Sequence, residues 1–261
     1  MEQNRNKIRL FAGVLFLGIC VFCYTVFSYV RNSRPLDAAI RRGDMKVVKI
    51  KAKKVRDINE RVDRFTYLGN CFLLSRNTPR EKTPTAGQIT EYNNAVFEMI
   101  RILVENGADV NAKCEEEVYG RTPLIMAIAS GNQDAVKYLL DKGASLKIAD
   151  NNGKTPLMVA VATTKIPVDL LLHYDNEKSI NNQDHEGNTA LHNLLLSGDF
   201  PQTVQLLLEH GADVVLENNE GLTVTEIAQN KQRGASLKVL QAQSSSKESD
   251  TPDQRAVISE D

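Results

Sequence analysis

The side chains that could do chemistry are few and badly placed for it. The four histidines, His173, His185, His192 and His210, show no metal-ligand spacing. Cys20 and Cys23 have the C-x-x-C spacing of a redox or metal site, but they lie inside an uncharged apolar run, where they read as two small apolar side chains. Cys71 and Cys114 are far apart in sequence and read as free thiols rather than a disulfide. The chain contains no Gly-rich phosphate loop with its Lys, no H-E-x-x-H and no G-x-S-x-G. Without a nucleophile beside a base, or a ligand cluster, it is read as a non-enzyme with no cofactor and no metal.

What the chain does contain is a repeat. Gly120-Arg121-Thr122-Pro123-Leu124 returns as Gly153-Lys154-Thr155-Pro156-Leu157, then as Gly187-Asn188-Thr189-Ala190-Leu191, with a worn copy at Gly221-Leu222-Thr223-Val224. The four glycines are 33, 34 and 34 residues apart, the signature of a repeat array. Each position has a physical job. Thr122 and Thr155 can accept orphan N–H groups at a helix start. Pro123 and Pro156 sit where a missing N–H costs nothing. Leu124, Ala127 and Ile128 make one apolar face, and the small residues Ala127, Ala129, Ala160 and Ala162 let helices approach. Val136, Leu139 and Leu140 form the buried stripe of a second helix, which Gly143 closes, as Gly211 closes its counterpart. One such unit cannot bury both its faces and must stack on copies of itself.

This unit resembles the ankyrin repeat, whose helix-opening signature is T-P-L-H-x-A. The best match is Thr189-Ala190-Leu191-His192, and Gly107-Ala108-Asp109-Val110-Asn111-Ala112-Lys113 resembles the link between repeats. The resemblance is strong over residues 96–230 and weaker over 34–95. It implies an all-α solenoid of helix-turn-helix units with β-turn tips, in which His192 bonds locally to hold its repeat. It also implies a protein partner, with no nucleic acid and no small-molecule substrate. The family's binding positions fall here on Lys113, Arg121, Asn151, Asn152, Lys154, Gln183, His185, Glu186, Asn188, Glu217, Asn219 and Glu220 at the turns. Ala129, Ser130, Thr163 and Ser197 follow the small-residue helices.

The remaining chain divides by composition. Residues 1–9 are a short basic segment with Arg5, Lys7 and Arg9. Residues 10–30 carry no charge and match, at about 30 Å as a helix, the bilayer core. The exit Ser28-Tyr29-Val30-Arg31 is too bulky for signal cleavage, so a retained transmembrane helix is expected, giving a single-pass membrane protein. Three basic residues precede the run and two follow closely, which leans toward an exported array. Arg41, Arg42, Lys46 and Lys49, further on, argue for the opposite side.

Residues 31–240 then hold about six repeats, the first two divergent. From Arg31 to Arg56 there are ten Lys or Arg against two Asp, which suits anionic lipid headgroups or simply a solvated helix face. Val47, Val48 and Ile50 are expected in that repeat's core. Residues 75–94 read as an insertion, with the second helix starting near Ala95. The 241–261 tail is acidic and expected to be disordered.

With net charge −1, nothing pulls the chain globally toward nucleic acid. The resulting expectation is a membrane-tethered scaffold for protein–protein interaction. The alternative is an immunity or inhibitor protein that occludes a toxin or effector at the membrane.

Overall fold

A computed structural model describes residues 36–248, except 37, 41–43, 56, 60, 63–64, 72–85, 115–119 and 176–177. The 10–30 run, most of the 75–94 insertion ahead of residue 86 and the tail from 249 therefore lie outside the described residues. Among the described residues no helix is long and apolar enough to cross a membrane. The chain separates into two compact units, Met1–Asp109 and Val110–Asp261.

In the first unit Leu36, Ala39 and Ile40 are helical and fully buried. Helix α1 (Met45–Ala52) follows, its N-terminus capped by the Asp44 carboxylate, which accepts from the Val47 N–H. Val48 and Ala52 face inward, but Ile50, expected in the core, is 57 % exposed. At ~100° per residue Ile50 points nearly opposite to Val48, so both cannot be buried by one neighbour. A minimal hairpin, β1 (Arg61–Val62) and β2 (Phe65–Thr66), pairs Arg61 with Thr66 and Val62 with Phe65. With an isolated antiparallel bridge between Glu217 and Thr223, it is the β-structure seen within the described residues of an otherwise helical plan.

Helices α2 (Tyr67–Asn70) and α3 (Ala86–Glu105) follow among the described residues, and both α1 and α2 pack on α3. Helix α3 starts about two and a half turns before the Ala95 expected from sequence. Residues 87–91 are all exposed, so the opening turns of the helix carry no apolar period to read.

Among the described residues the second unit holds four helix pairs. They are α4 (Pro123–Ser130) with α5 (Gln133–Asp141), and α6 (Pro156–Thr163) with α7 (Val168–Tyr174). Then come α8 (Ala190–Ser197) with α9 (Pro201–Glu209), and α10 (Val224–Asn230) with α11 (Gly234–Glu248). The first helices stack in the order α4, α6, α8, α10, which creates the shared core. Ala127, Ala160 and Ala228 are fully buried along that seam, whereas Ala162 faces solvent.

Each first helix begins on a threonine. Thr122, Thr155, Thr189 and Thr223 present Oγ1 to the N–H of Ile125, Met158, His192 and Glu226, at 3.3–3.4 Å. Helix α11 runs to Glu248, past the expected boundary at 240. Neither Gly nor Pro interrupts residues 235–248, and a started helix propagates at little cost.

The loop after α7 departs from the array's rule. Where the other units turn on Gly143 or Gly211, at φ 85° and 89°, Asp175 takes over. Both its carboxylate oxygens accept from the Ser179 N–H at the head of a 3₁₀ turn, Ser179–Asn181. A second departure lies one unit upstream. Asn111 donates to the Gly143 carbonyl and accepts from the Ser145 N–H, and Asn181 does the same with Gly211 and Asp213. Lys147 occupies the equivalent place opposite the α7 loop, so that loop lacks both its glycine and the asparagine that would clamp it.

Candidate functional site

The turns between helix pairs are built by a buried carboxylate or amide at their first position. Asp150 Oδ1 accepts from the N–H groups of Asn152 and Lys154 at 2.9 and 3.0 Å. Asp184 Oδ1 takes Glu186 and Asn188 at 3.0 and 2.9 Å, and Asn218 Oδ1 takes Glu220 and Leu222, each at 3.0 Å. Short side chains that bond the backbone two and four residues on are what fold a tight turn. The reading from sequence saw these turns as tips but gave no role to Asp150, Asp184 or Asn218, whose recurrence every 34 residues was the available signal.

Backbone bonds then tie tip to tip. His185 N–H donates to the Asn152 carbonyl at 3.0 Å, and Asn219 N–H to the Glu186 carbonyl at 3.0 Å. The Asn219 side chain adds a bond to the His185 carbonyl at 2.9 Å. Gln183 Nε2 bridges the Gly187 and Glu217 carbonyls at 2.7 and 2.8 Å. This approach needs glycine. A Cβ on Gly153 would lie 2.7 Å from the His185 nitrogen, and one on Gly187 would lie 2.6 Å from the Asn219 nitrogen. Both residues also have positive φ, 77° and 76°.

The proposed surface residues separate accordingly. Asn151, Asn152, His185, Glu186, Asn219 and Glu220 are exposed and stand in register along one edge, with Glu217 and Gln183 beside them. Lys113, Arg121 and Lys154 are half-buried, and Arg121 Nε lies 3.9 Å from Asp150 Oδ2, the carboxylate at the base of the next tip. Asn188 requires a correction. It is 3 % exposed, donates to Glu186 Oε2 at 3.1 Å and accepts from Asn218 Nδ2 at 3.0 Å, so it braces two tips from inside.

The positions after the small-residue helices are also partly committed. Ser130, Thr163 and Ser197 hydroxyls donate back to the carbonyls of Ala127, Val159 and Asn193, and the Ala129 carbonyl accepts from Lys165 Nζ at 2.9 Å.

His192 is structural, as expected. It is fully buried, with Nδ1 2.8 Å from Thr189 Oγ1 and Nε2 3.2 Å from the Leu222 carbonyl of the next unit. Burial pushes its pKa below the usual imidazole value, against the weaker opposing effect of that carbonyl. Cys71 and Cys114 are both buried and in no disulfide, and burial pushes the Cys71 thiol up, away from reactivity. Among the described residues no His, Cys, Asp and Glu cluster could hold a metal.

Beside the tips runs an open groove of about 610 Å³, lined by His185, Glu186, Leu196, Glu220, Ile227 and Lys231 among others. Leu196, at the end of α8, is 38 % exposed on it. Sequence reasoning missed Leu196 because it sits inside an apolar run that looks entirely like core.

The ankyrin repeats model, in three copies, matches residues 86–174, and the single ankyrin repeat model matches 186–219. Residues 86–174 and 186–219 belong to the ankyrin repeat family. Its repeats are 34 % identical over 107 residues to the Neurogenic locus Notch protein of Drosophila melanogaster, covering 41 % of this chain and 4 % of that one. They are 33 % identical over 138 residues to a putative ankyrin repeat protein of fowlpox virus, covering 51 % and 40 %. The chain thus spans well under half the length of either relative.

Among solved structures, an ankyrin repeat domain from Acinetobacter baumannii AYE superposes with a TM-score of 0.65 at 24 % identity, over 80 % of this chain and 97 % of that one. A chain from the complex of a Bdellovibrio bacteriovorus predatory endopeptidase with an immunity protein gives 0.60 at 22 %, over 80 % and 97 %. At these identities the ankyrin fold is what is shared.

Proposed function

We propose that this protein is a membrane-tethered ankyrin repeat scaffold that captures a protein partner along its turn tips, with residues 10–30 as the tether. The observation that carries the binding half is the bonding of three tips in line through Asn152–His185 and Glu186–Asn219. An edge held by its own backbone loses little entropy on binding, so exposed side chains on it are preorganised. Charge along the edge is mixed: in sequence Lys113 and Arg121 flank Glu115, Glu116 and Glu117, Lys154 follows one repeat later, and Glu186, Glu217 and Glu220 come toward the C-terminal end. The Leu196 groove beside the tips suits an apolar anchor of the partner.

The tether half is supported by the uncharged run alone. Carbonate and high-salt extraction of membranes tests it: the full-length chain should stay in the pellet, and a soluble chain or a mature N-terminus near Arg31 would refute it. For the tips, the test is crosslinking from intact membranes with Asn152, Lys154, His185 and Glu186 changed together to alanine. Capture of the partner should be lost with helix content unchanged, and unaltered capture would refute the tip row as the binding edge. A partner that is a toxin or effector occluded on binding would make the scaffold an immunity or inhibitor protein, a reading supported by the likeness to a chain of an endopeptidase–immunity protein complex.

A further inference from the structure

We infer that the outer face of helix α1 docks on an anionic membrane surface. This deepens the tethered reading and rests on it for the placing of the membrane. Three observations converge. First, Lys46, Lys49 and Lys53 are all exposed and, at ~100° per residue, share an arc of roughly 60° whose centre lies about 90° from the buried Ala52 and about 130° from the buried Val48. Lys53 keeps helical backbone at the C-cap, so the stripe is continuous, and the exposed Lys54 extends it. None of these four lysines is paired with a carboxylate among the described residues. The face is therefore a cationic surface with its charge unspent.

Second, the one large apolar side chain on that face, Ile50, projects among these lysines at 57 % exposure. An aliphatic side chain ringed by lysines is poorly placed in water. It is well placed at a headgroup boundary, where the chain enters the acyl region and the ammonium groups meet lipid phosphates.

Third, only residues 31–44 separate the end of the uncharged run from α1. Fully extended they span at most about 50 Å, so a membrane holding residues 10–30 keeps α1 near its surface. Short reach raises the effective concentration of lipid at the lysines and makes a weak contact sufficient. The inner side of α1 is meanwhile occupied by α3, so docking leaves the repeat's own packing untouched.

The chain contains no tryptophan, which makes Ile50→Trp a unique reporter at an exposed site. The full chain carrying it is reconstituted into vesicles of phosphatidylcholine, with or without phosphatidylserine, and quenched with brominated lipid. A blue-shifted, strongly quenched emission is expected only with phosphatidylserine. It should revert at about 1 M salt, where the Debye length is ~3 Å. It should also revert with Lys46, Lys49 and Lys53 changed to Gln while circular dichroism is unchanged. Equal emission and quenching in the two compositions would overturn the docking, even where the chain stays with both vesicles after carbonate. Loss from neutral vesicles on carbonate would instead refute the tether, while a surviving salt-sensitive quench in anionic vesicles would still support α1 as a lipid contact.

Discussion

Asn218 donates its side-chain amide to the Asn188 side-chain oxygen at 3.0 Å, from one tip into the base of the tip before it. Both residues are buried, so the bond is shielded from water. Asn188→Ala would strand the Asn218 amide and release Glu186. A buried donor left unpaired costs about 1–3 kcal/mol, and the denaturation midpoint should fall accordingly at unchanged m-value.

The glycines separate two costs. Gly143 and Gly187 both have positive φ, but a Cβ on Gly143 meets nothing within 4 Å while one on Gly187 meets the Asn219 nitrogen at 2.6 Å. Gly143→Ala should lose only the backbone preference, about 1–2 kcal/mol. Gly187→Ala must also push neighbouring tips away from each other and should lose distinctly more. Equal losses in parallel urea melts would mean that tip contact contributes nothing.

Asp199 should give acid sensitivity. Its carboxylate accepts from the Ser236 hydroxyl, from the Ser236 N–H at 2.9 Å and from the Ala235 N–H at 3.1 Å, capping α11 from the preceding unit. The Ser236 hydroxyl is the largest cause holding its pKa below the ordinary carboxylate value, followed by the Ser236 N–H. A depressed carboxylate pKa stabilises the fold above the unfolded value of about 3.9, and that stabilisation is lost as pH falls through the folded value. Asp199→Ala should therefore lower the melting temperature at neutral pH, and the gap to wild type should close in acid below that value. A gap independent of pH would exclude the ionised cap.

His192 works in the same direction at higher pH. Burial lowers its pKa, so the folded state favours the neutral ring. That stabilisation is complete above the unfolded value of about 6.5 and is lost as pH falls through the lower folded one. His192→Phe should remove this loss from the stability profile in mildly acidic buffer, while forfeiting the bonds to Thr189 and Leu222 at neutral pH.

Along the helix seam, Ala127 is fully buried where α4 meets α6. Ala127→Leu should overpack it at about 1–3 kcal/mol. Thr155→Ala should remove the α6 cap at about 0.5–2 kcal/mol. If neither moves the midpoint, the seam and cap roles are wrong.

The sequence by itself determined what depends on near neighbours. Threonine caps, proline at the first helical position, closing glycines and the 34-residue period are set within a few residues, and the structure carries them where they were read. The resemblance to the ankyrin repeat, carried by the same motifs, implied the tips and the local bonding of His192. Local logic did not reach whatever depends on a residue one repeat away. Asn188 looks like any polar tip residue until Asn218 arrives beside it, and Asp199 looks solvated until Ser236 folds onto it. Ile50 looks like core until α1 proves to bury only Val48 and Ala52, and Leu196 looks like core until the groove leaves it open. The early start of α3 was hidden because its opening turns are exposed, and hydrophobic period appears only where a second element exists to impose it. In a stack of copies each unit writes half of every interface, and only the tertiary structure brings the other half.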